Sequence, residues 1–170
     1  MLHNYYIRDN VITLRPLTAD DIELIRVWRN QDHIRKSFVY QETISKEQQQ
    51  KWFEKYSTLP NDLMFIIELN SSKTPVGCAA LYNLNIEDAV AEFGRLLIGE
   101  SIARGRGIGL NATKLLCNFG FEELNLMSIQ LEVLESNLIA YNLYSKVGFI
   151  RNGNIIKNNL NLIQMILKRK

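Results

Sequence analysis

A mixed α/β fold built on one sheet is predicted for this chain, and three observations carry that prediction. Three strand-like runs follow one another in the middle of the chain, at 63–69, 75–84 and 89–99. Two capped helical stretches precede them, and helix and strand alternate after them. Between the last run of the triplet and the next helix lies a glycine-rich hexapeptide, Arg104-Gly105-Arg106-Gly107-Ile108-Gly109. One domain over 1–170 is the expected organisation at this length, because such a chain buries roughly 70% of the surface its unfolded form exposes.

Taken in order, "VITLRPL" (11–17) alternates as a strand does. Thr18 then offers an N-cap with Asp21 three residues on, a capping box. In the helix that follows, Ile22, Ile25 and Trp28 fall at helical spacing with Leu24 beside them. "SKEQ" (45–48) is a second capping box and opens a helix through Trp52 and Phe53. The period then changes to that of strands, with "NSSKT" and "NIED" as turns between the runs. A helix covers about 108–122, a strand 128–134, and a helix 135–148 with Asn137 near its start and Gly148 at its end. A strand at 161–169 closes the order β-α-α-β-β-β-α-β-α-β, with room for one more short strand around 149–156.

Composition narrows the function classes. Hydrophobic content of 46% and charged content of 22% are ordinary for a globular protein. A net charge of +2 is too weak to argue for nucleic acid or a membrane surface, so neither is an expected partner. Cys78 and Cys117 form no C-x-x-C pair and read as buried residues in a reduced compartment. His3 and His33 stand alone, which leaves no ligand set for a metal. No apolar run approaches ~18 residues, and "MLHNYYIRDN" lacks the apolar stretch of a signal peptide. A soluble cytoplasmic protein, monomer or homodimer, is expected.

The hexapeptide is suited to an anion. A loop entering a helix N-terminus carries unpaired N–H groups and the positive end of the helix dipole, and phosphate oxygens satisfy both. Glycines allow positive φ, while Arg104 and Arg106 add charge. A Walker loop is absent, since no Gly-Lys-Ser/Thr follows. A dinucleotide loop fails at its third glycine, where Leu110 stands. A ligand-free surface turn is the remaining plain alternative.

A third pattern fits. Arg104-x-x-Gly107-x-Gly109 matches a Q/R-x-x-G-x-G/A signature, and "LEVLESNLIAYNLYSKVGF" (131–149) supplies a strand, Asn137, and a helix reading A-x-x-L-Y-x-K-x-G-F through Ala140, Leu143, Tyr144, Lys146, Gly148 and Phe149. With these two blocks the chain resembles the GNAT superfamily of acyl-CoA-dependent N-acetyltransferases, strongly over about 89–150 and more loosely over 11–84. The resemblance implies a mostly antiparallel sheet whose strands ending at Ile98 and Leu134 splay apart, with acetyl-CoA as co-substrate and no metal. It places the pantetheine arm against the backbone of Leu96, Leu97 and Ile98, as an added strand. The pyrophosphate falls to Arg104, Gly105, Arg106, Gly107, Ile108 and Gly109, and Asn137 steadies the arm; a simple helix cap is the other reading of Asn137.

Direct acetyl transfer needs a neutral amine, a stabilised oxyanion and a proton for the departing thiolate. The thiol has a pKa of roughly 8.5 if it behaves like cysteine, so an acid near 10 suffices when well placed. Tyr144 matches the family's general acid; a core tyrosine is the plain alternative. The oxyanion donor is a backbone N–H near Leu97. For the base, Glu132 and Glu92 are the rivals, with Glu135 a weaker third and water alone also open. No Cys–His or Ser–His arrangement points to a covalent acetyl-enzyme.

The acceptor, a small-molecule amine, is read from "WRNQDHIRKSFVYQETISKEQQQKWFEKY" (28–56). Its W-R-N-x-x-x-I-R opening is similar to acetyltransferases of nucleotide-linked amino sugars, and more loosely to the ribosomal-protein Nα-acetyltransferase branch. Arg29 and Arg35 suit phosphates, Asn30 lies between them, and Trp28, Tyr40 or Trp52 suits a ring. Equally, Trp28 and Trp52 read as core and Arg29 as the partner of a sheet carboxylate. The amino-sugar nucleotide is the first expectation. A protein N-terminus or a polyamine is the alternative, and a non-catalytic acyl-CoA-binding module the remote one.

Overall fold

Each of these patterns becomes an element of one eight-stranded sheet in the computed structural model, which describes residues 2–170. The strands are β1 (Ile7–Arg8), β2 (Ile12–Pro16), β3 (Leu63–Leu69), β4 (Thr74–Asn85), β5 (Val90–Ile98), β6 (Ser128–Leu134), β7 (Ile150–Lys157) and β8 (Leu160–Lys168). The α-helices are α1 (Ile22–Arg29), α2 (Asp32–Arg35), α3 (Lys46–Thr58), α4 (Ile108–Glu122) and α5 (Leu138–Val147).

Both capping boxes form. Thr18 and Asp21 close the turn ahead of α1, and Ser45 accepts from the Gln48 N–H at the start of α3 while the Gln48 side chain returns to Ser45. Two elements lie outside the sequence pattern. The two-residue β1 is an edge pairing on β2, and α2 is a single turn, so both are too short for any periodicity to register. The strand expected around 149–156 is β7, joined to β8 through Asn158 and Asn159, both at positive φ as a two-residue hairpin turn demands.

The strand order is β1-β2-β3-β4-β5-β6-β8-β7, and every neighbouring pair is antiparallel except β5 and β6. Two apolar clusters cover the two faces. Ala112, Leu116, Phe119 and Tyr144 of α4 and α5 pack on one face over Phe65, Leu81, Phe93 and Ile129. Ile25, Trp28 and Tyr56 of α1 and α3 pack on the other, over Met64, Ile66, Cys78, Ala80 and Leu97. Among the described residues no helix is long and apolar enough to cross a membrane.

Candidate active site

The parallel pair opens a fork in the sheet. β5 and β6 are in register only at Val90↔Ser128, Ala91↔Ile129 and Glu92↔Gln130. Past Glu92, β5 stays with β4 as far as Ile98, while β6 stays with β8 as far as Leu134. A bulge bends β5 away at this point. Gly94 and Leu97 face Ala80 and Cys78, so Arg95 and Leu96 together oppose Ala79, with Arg95 at φ 54°. Phe93 to Ile98 therefore have no strand neighbour on the β6 side, and Leu96, Leu97 and Ile98 form the free edge. An extended ligand can pair there.

At the wide end of the fork the hexapeptide leads into α4. Gly105 and Gly107 sit at φ 71° and 74°, and Gly107 is the N-cap of α4. No atom crowds the place of a Cβ on either, so glycine is required for the left-handed backbone and not for space. Ile108 is buried and anchors the turn. Gly109 opens the helix, its carbonyl taking the Thr113 hydroxyl. Arg106 is exposed and makes no hydrogen bond among the described residues. Arg104 differs from the expectation of a phosphate-facing cation. Its guanidinium donates to the Ile98 and Gly99 carbonyls and to Gln31, since those acceptors close off the end of β5 right beside it.

Trp28 braces the same junction and is not a substrate ring. It is 1% exposed, donates from Nε1 to Glu100 at 2.7 Å, and lies where a Cβ on Gly99 would fall inside its indole. Asn30 bonds both the N–H and the carbonyl of Ile44, which fixes the loop before α3 and keeps its side chain off any ligand. Arg35 is turned toward Asp32 at 2.7 Å and the Gln41 carbonyl, away from the cavity described below. Asn137 caps α5 by accepting the Ala140 N–H.

The three proton-transfer candidates lie on opposite faces at the fork. Tyr144, 8% exposed, packs edge-on to Phe93 and Phe149 on the α4–α5 face, and its hydroxyl has no hydrogen-bond partner among the described residues. Burial, with Tyr82 and Cys117 nearby, pushes its phenol well above the ordinary value. Glu92 is on the α1–α3 face and accepts from Asn83 at 2.9 Å. Glu132, two residues past Gln130 on that same face, pairs with Lys157 at 2.6 Å. Glu135 lies past β6 in an exposed turn. Tyr82 is the residue that sequence reasoning passed over. It opposes Glu92 in the ladder, and burial and that carboxylate raise its pKa. Its place follows only from the β4–β5 register, which no local motif reveals.

Also on the α1–α3 face is a cavity of about 440 Å³. Leu97 and Cys78 form its floor, Arg29 and Arg95 contribute cations, and Phe38, Tyr40, Trp52, Gln48 and Gln49 line the rest. Arg95 is held by both oxygens of Asp62 at 2.7 Å and stacks on Tyr82. Arg29 stacks 3.7 Å above Phe38 and forms no ion pair, so the sheet carboxylate considered for it is absent among the described residues. Of the residues expected at the acceptor, Arg29, Tyr40 and Trp52 line this cavity, and Trp28, Asn30 and Arg35 do not.

The family comparison decides what this fork belongs to: residues 12–150 match the Acetyltransferase (GNAT) domain. The chain belongs to that family. The mixed α/β sheet that parts between β5 and β6 agrees with the fold that the sequence resemblance implied. Among relatives, it is 30% identical over 146 residues to an uncharacterized Methanocaldococcus jannaschii protein, covering 83% of this chain but 28% of that protein. It is 25% identical to the spermidine N(1)-acetyltransferase of Escherichia coli K12, covering 85% of this chain and 76% of that enzyme. Its structure superposes on the Vibrio cholerae spermidine N-acetyltransferase in complex with CoA and spermine, with a TM-score of 0.84, 22% identity, and 94% and 96% of the two chains covered. A domain from Methanocaldococcus jannaschii gives a TM-score of 0.77 at 25% identity, over 92% of this chain and 98% of that one.

Proposed function

We propose that the protein transfers an acetyl group directly from acetyl-CoA to a primary amine of a small molecule, with Tyr144 as general acid. One observation carries this reading. A buried phenol on the α4–α5 face and two carboxylates on the α1–α3 face converge on the one place where the sheet is open. Acetyl-CoA, when bound, supplies the activated thioester. The free edge of Leu96, Leu97 and Ile98 suits its arm, and the positive-φ turn ahead of α4 suits its pyrophosphate through the N–H groups of Gly107, Ile108 and Gly109 with Arg106 adding charge. A V. cholerae relative of the same fold binds CoA, which supports that assignment.

A phenol is protonated at neutral pH at its ordinary value. Burial raises that of Tyr144 further and makes it a weaker acid in the unliganded site, so its donation rests on placement against the developing thiolate. Glu92 and Glu132 face the cavity side, where a base relieves the incoming ammonium of a proton, directly or through water. Glu132 is engaged by Lys157 in an ion pair, whereas Glu92 accepts from the uncharged Asn83 amide. A backbone N–H near Leu97 meets the oxyanion.

The named relatives support a polyamine acceptor better than the nucleotide-linked amino sugar that the W-R-N opening suggested. Spermidine therefore heads the acceptor panel. The reading is tested by following thiol release from acetyl-CoA with that panel in the native enzyme and in Tyr144→Phe. Turnover with at least one small amine, reduced in the variant, supports it. Acetyl-CoA binding with no turnover on any amine identifies a binding module instead.

A further inference from the structure

We infer that the acceptor amine also carries an oxyanion group, a carboxylate or a phosphate, and that Arg29 in the α1–α3 cavity binds it. This rests on the acetyl-transfer reading above and sets an anionic amine against the polyamine that the named relatives support.

Arg29 is the last residue of α1, and its guanidinium lies flat on Phe38. One terminal nitrogen reaches the Tyr40 carbonyl at 3.4 Å, while Nη1 is buried with no hydrogen-bond partner among the described residues. A buried guanidinium is costly to leave unpaired, and a planar oxyanion is its best-matched partner. The neighbouring cation, Arg95, is already neutralised by Asp62. No Asp or Glu lines the cavity, so its wall holds one uncompensated positive charge. Burial also draws the Arg29 pKa down, the direction expected of a cation that lacks its counterion.

A second unpartnered group points the same way. Gln49 lines the cavity as well, and its side-chain amide, which reaches some solvent, makes no hydrogen bond among the described residues. Its amide can donate to an oxyanion or accept from a hydroxyl. A volume of about 440 Å³ falls in the range of small-metabolite sites, and Leu97 at its floor belongs to the free edge of the fork. An anion on Arg29 thus leaves the other end of a small molecule directed at the site of transfer. A polyamine brings several ammonium groups and no anion to a wall that already carries an unpaired cation, which is unfavourable in a partly desolvated cavity.

The test compares matched acceptors: glucosamine 6-phosphate against glucosamine for phosphate, an α-amino acid against its amide for carboxylate, and spermidine. The anionic member of at least one pair is expected to have a kcat/KM ten-fold or more above its neutral partner, and the pair that shows it identifies the anion. Arg29→Met, which keeps the stack on Phe38, is expected to raise KM for that acceptor about 100-fold, leaving its kcat and the acetyl-CoA KM unchanged; Arg29→Lys recovers part of the loss. Spermidine as the best acceptor with Arg29→Met unaltered overturns the inference while the acetyl-transfer reading stands, as does an equal loss on charged and neutral acceptors. If no amine turns over, calorimetric titration of the native protein and Arg29→Met with glucosamine 6-phosphate and the amino acid decides it. Arg29-dependent binding supports the anion site, and equal binding or none removes it.

Discussion

Tyr144, the proposed acid, is at the same time a packing residue of the core. Its ring fills the apolar cluster between Phe93 and Phe149, while its hydroxyl makes no bond that holds the fold. Removing only that oxygen should leave the packing intact. Tyr144→Phe is therefore expected to unfold within a few degrees of the native protein and to bind acetyl-CoA as tightly. Its kcat should fall by about 10² to 10⁴, the usual contribution of a positioned acid; full activity in this variant removes the acid assignment. Gly107 carries a different demand. At φ 74° a Cβ is strained without touching a neighbour, so Gly107→Ala should cost about 1–2 kcal/mol and weaken acetyl-CoA binding, read by chemical denaturation and calorimetry. The local conformation of both positions, a positive-φ glycine at a helix start and a tyrosine on α5, is legible in the sequence, because each belongs to a short local motif. Arg29 and Trp28 are adjacent and look equally suited to a ligand, yet one faces the cavity and the other lies against Gly99. A 100° step around α1 separates them, and only the packed neighbours decide which of the two is core.

Elements were legible where local chemistry defines their ends. The capping boxes at Thr18 and Ser45 and the glycine at the end of α5 all form as the sequence indicates. The first box acquires a tertiary partner that local reading misses. Asp21 accepts from the Thr18 N–H and hydroxyl and from both terminal nitrogens of Arg15 on β2, which locks α1 to the sheet. Burial by itself raises the Asp21 pKa, but the Arg15 and Thr18 hydrogen bonds outweigh it and the net shift is downward. A carboxyl with a depressed folded pKa adds stability above its unfolded value of about 3.9 and loses it as pH falls through the folded one. Asp21→Asn should therefore cost about 2 kcal/mol near pH 7, less than a fully buried pair because Arg15 keeps Glu68 and some solvent. Urea melts at pH 7 and pH 3 should show the gap between variant and native protein narrowing at the lower pH. A gap that is constant with pH would assign the loss to packing instead. The bulge at Arg95 was invisible in the sequence, since it depends on which residues of β4 oppose β5.

Across the whole molecule, the sheet acts as a partition with one breach. Tyr144 and the turn ahead of α4 lie on one side, the Arg29 cavity and both glutamates on the other, and the fork past Glu92 is where the two sides meet. On the proposed reading, neither substrate would need to leave before the other arrives, and both would be held at once. Neither cysteine suits a covalent relay. Burial pushes the Cys78 thiol up to about 12, against the pull of Arg29 and Arg95, and raises Cys117 as well, so neither supplies a thiolate near neutrality. Initial rates measured over a grid of acetyl-CoA and acceptor concentrations should therefore give intersecting double-reciprocal lines, the pattern of a ternary complex. Parallel lines, or an acetylated protein detected by mass spectrometry after acetyl-CoA alone, would mean that the acetyl group rests on the protein. The same architecture fixes where the co-substrate leaves its mark. Amides of β5 between residues 93 and 98 lack a strand neighbour on the β6 side, so a subset of them should exchange at least about ten-fold more slowly once acetyl-CoA is bound. Those of β3, already paired with β2 and β4, should not change. Slowing spread evenly over all the strands would indicate general stabilisation by ligand and not the added strand that the fork is shaped to accept.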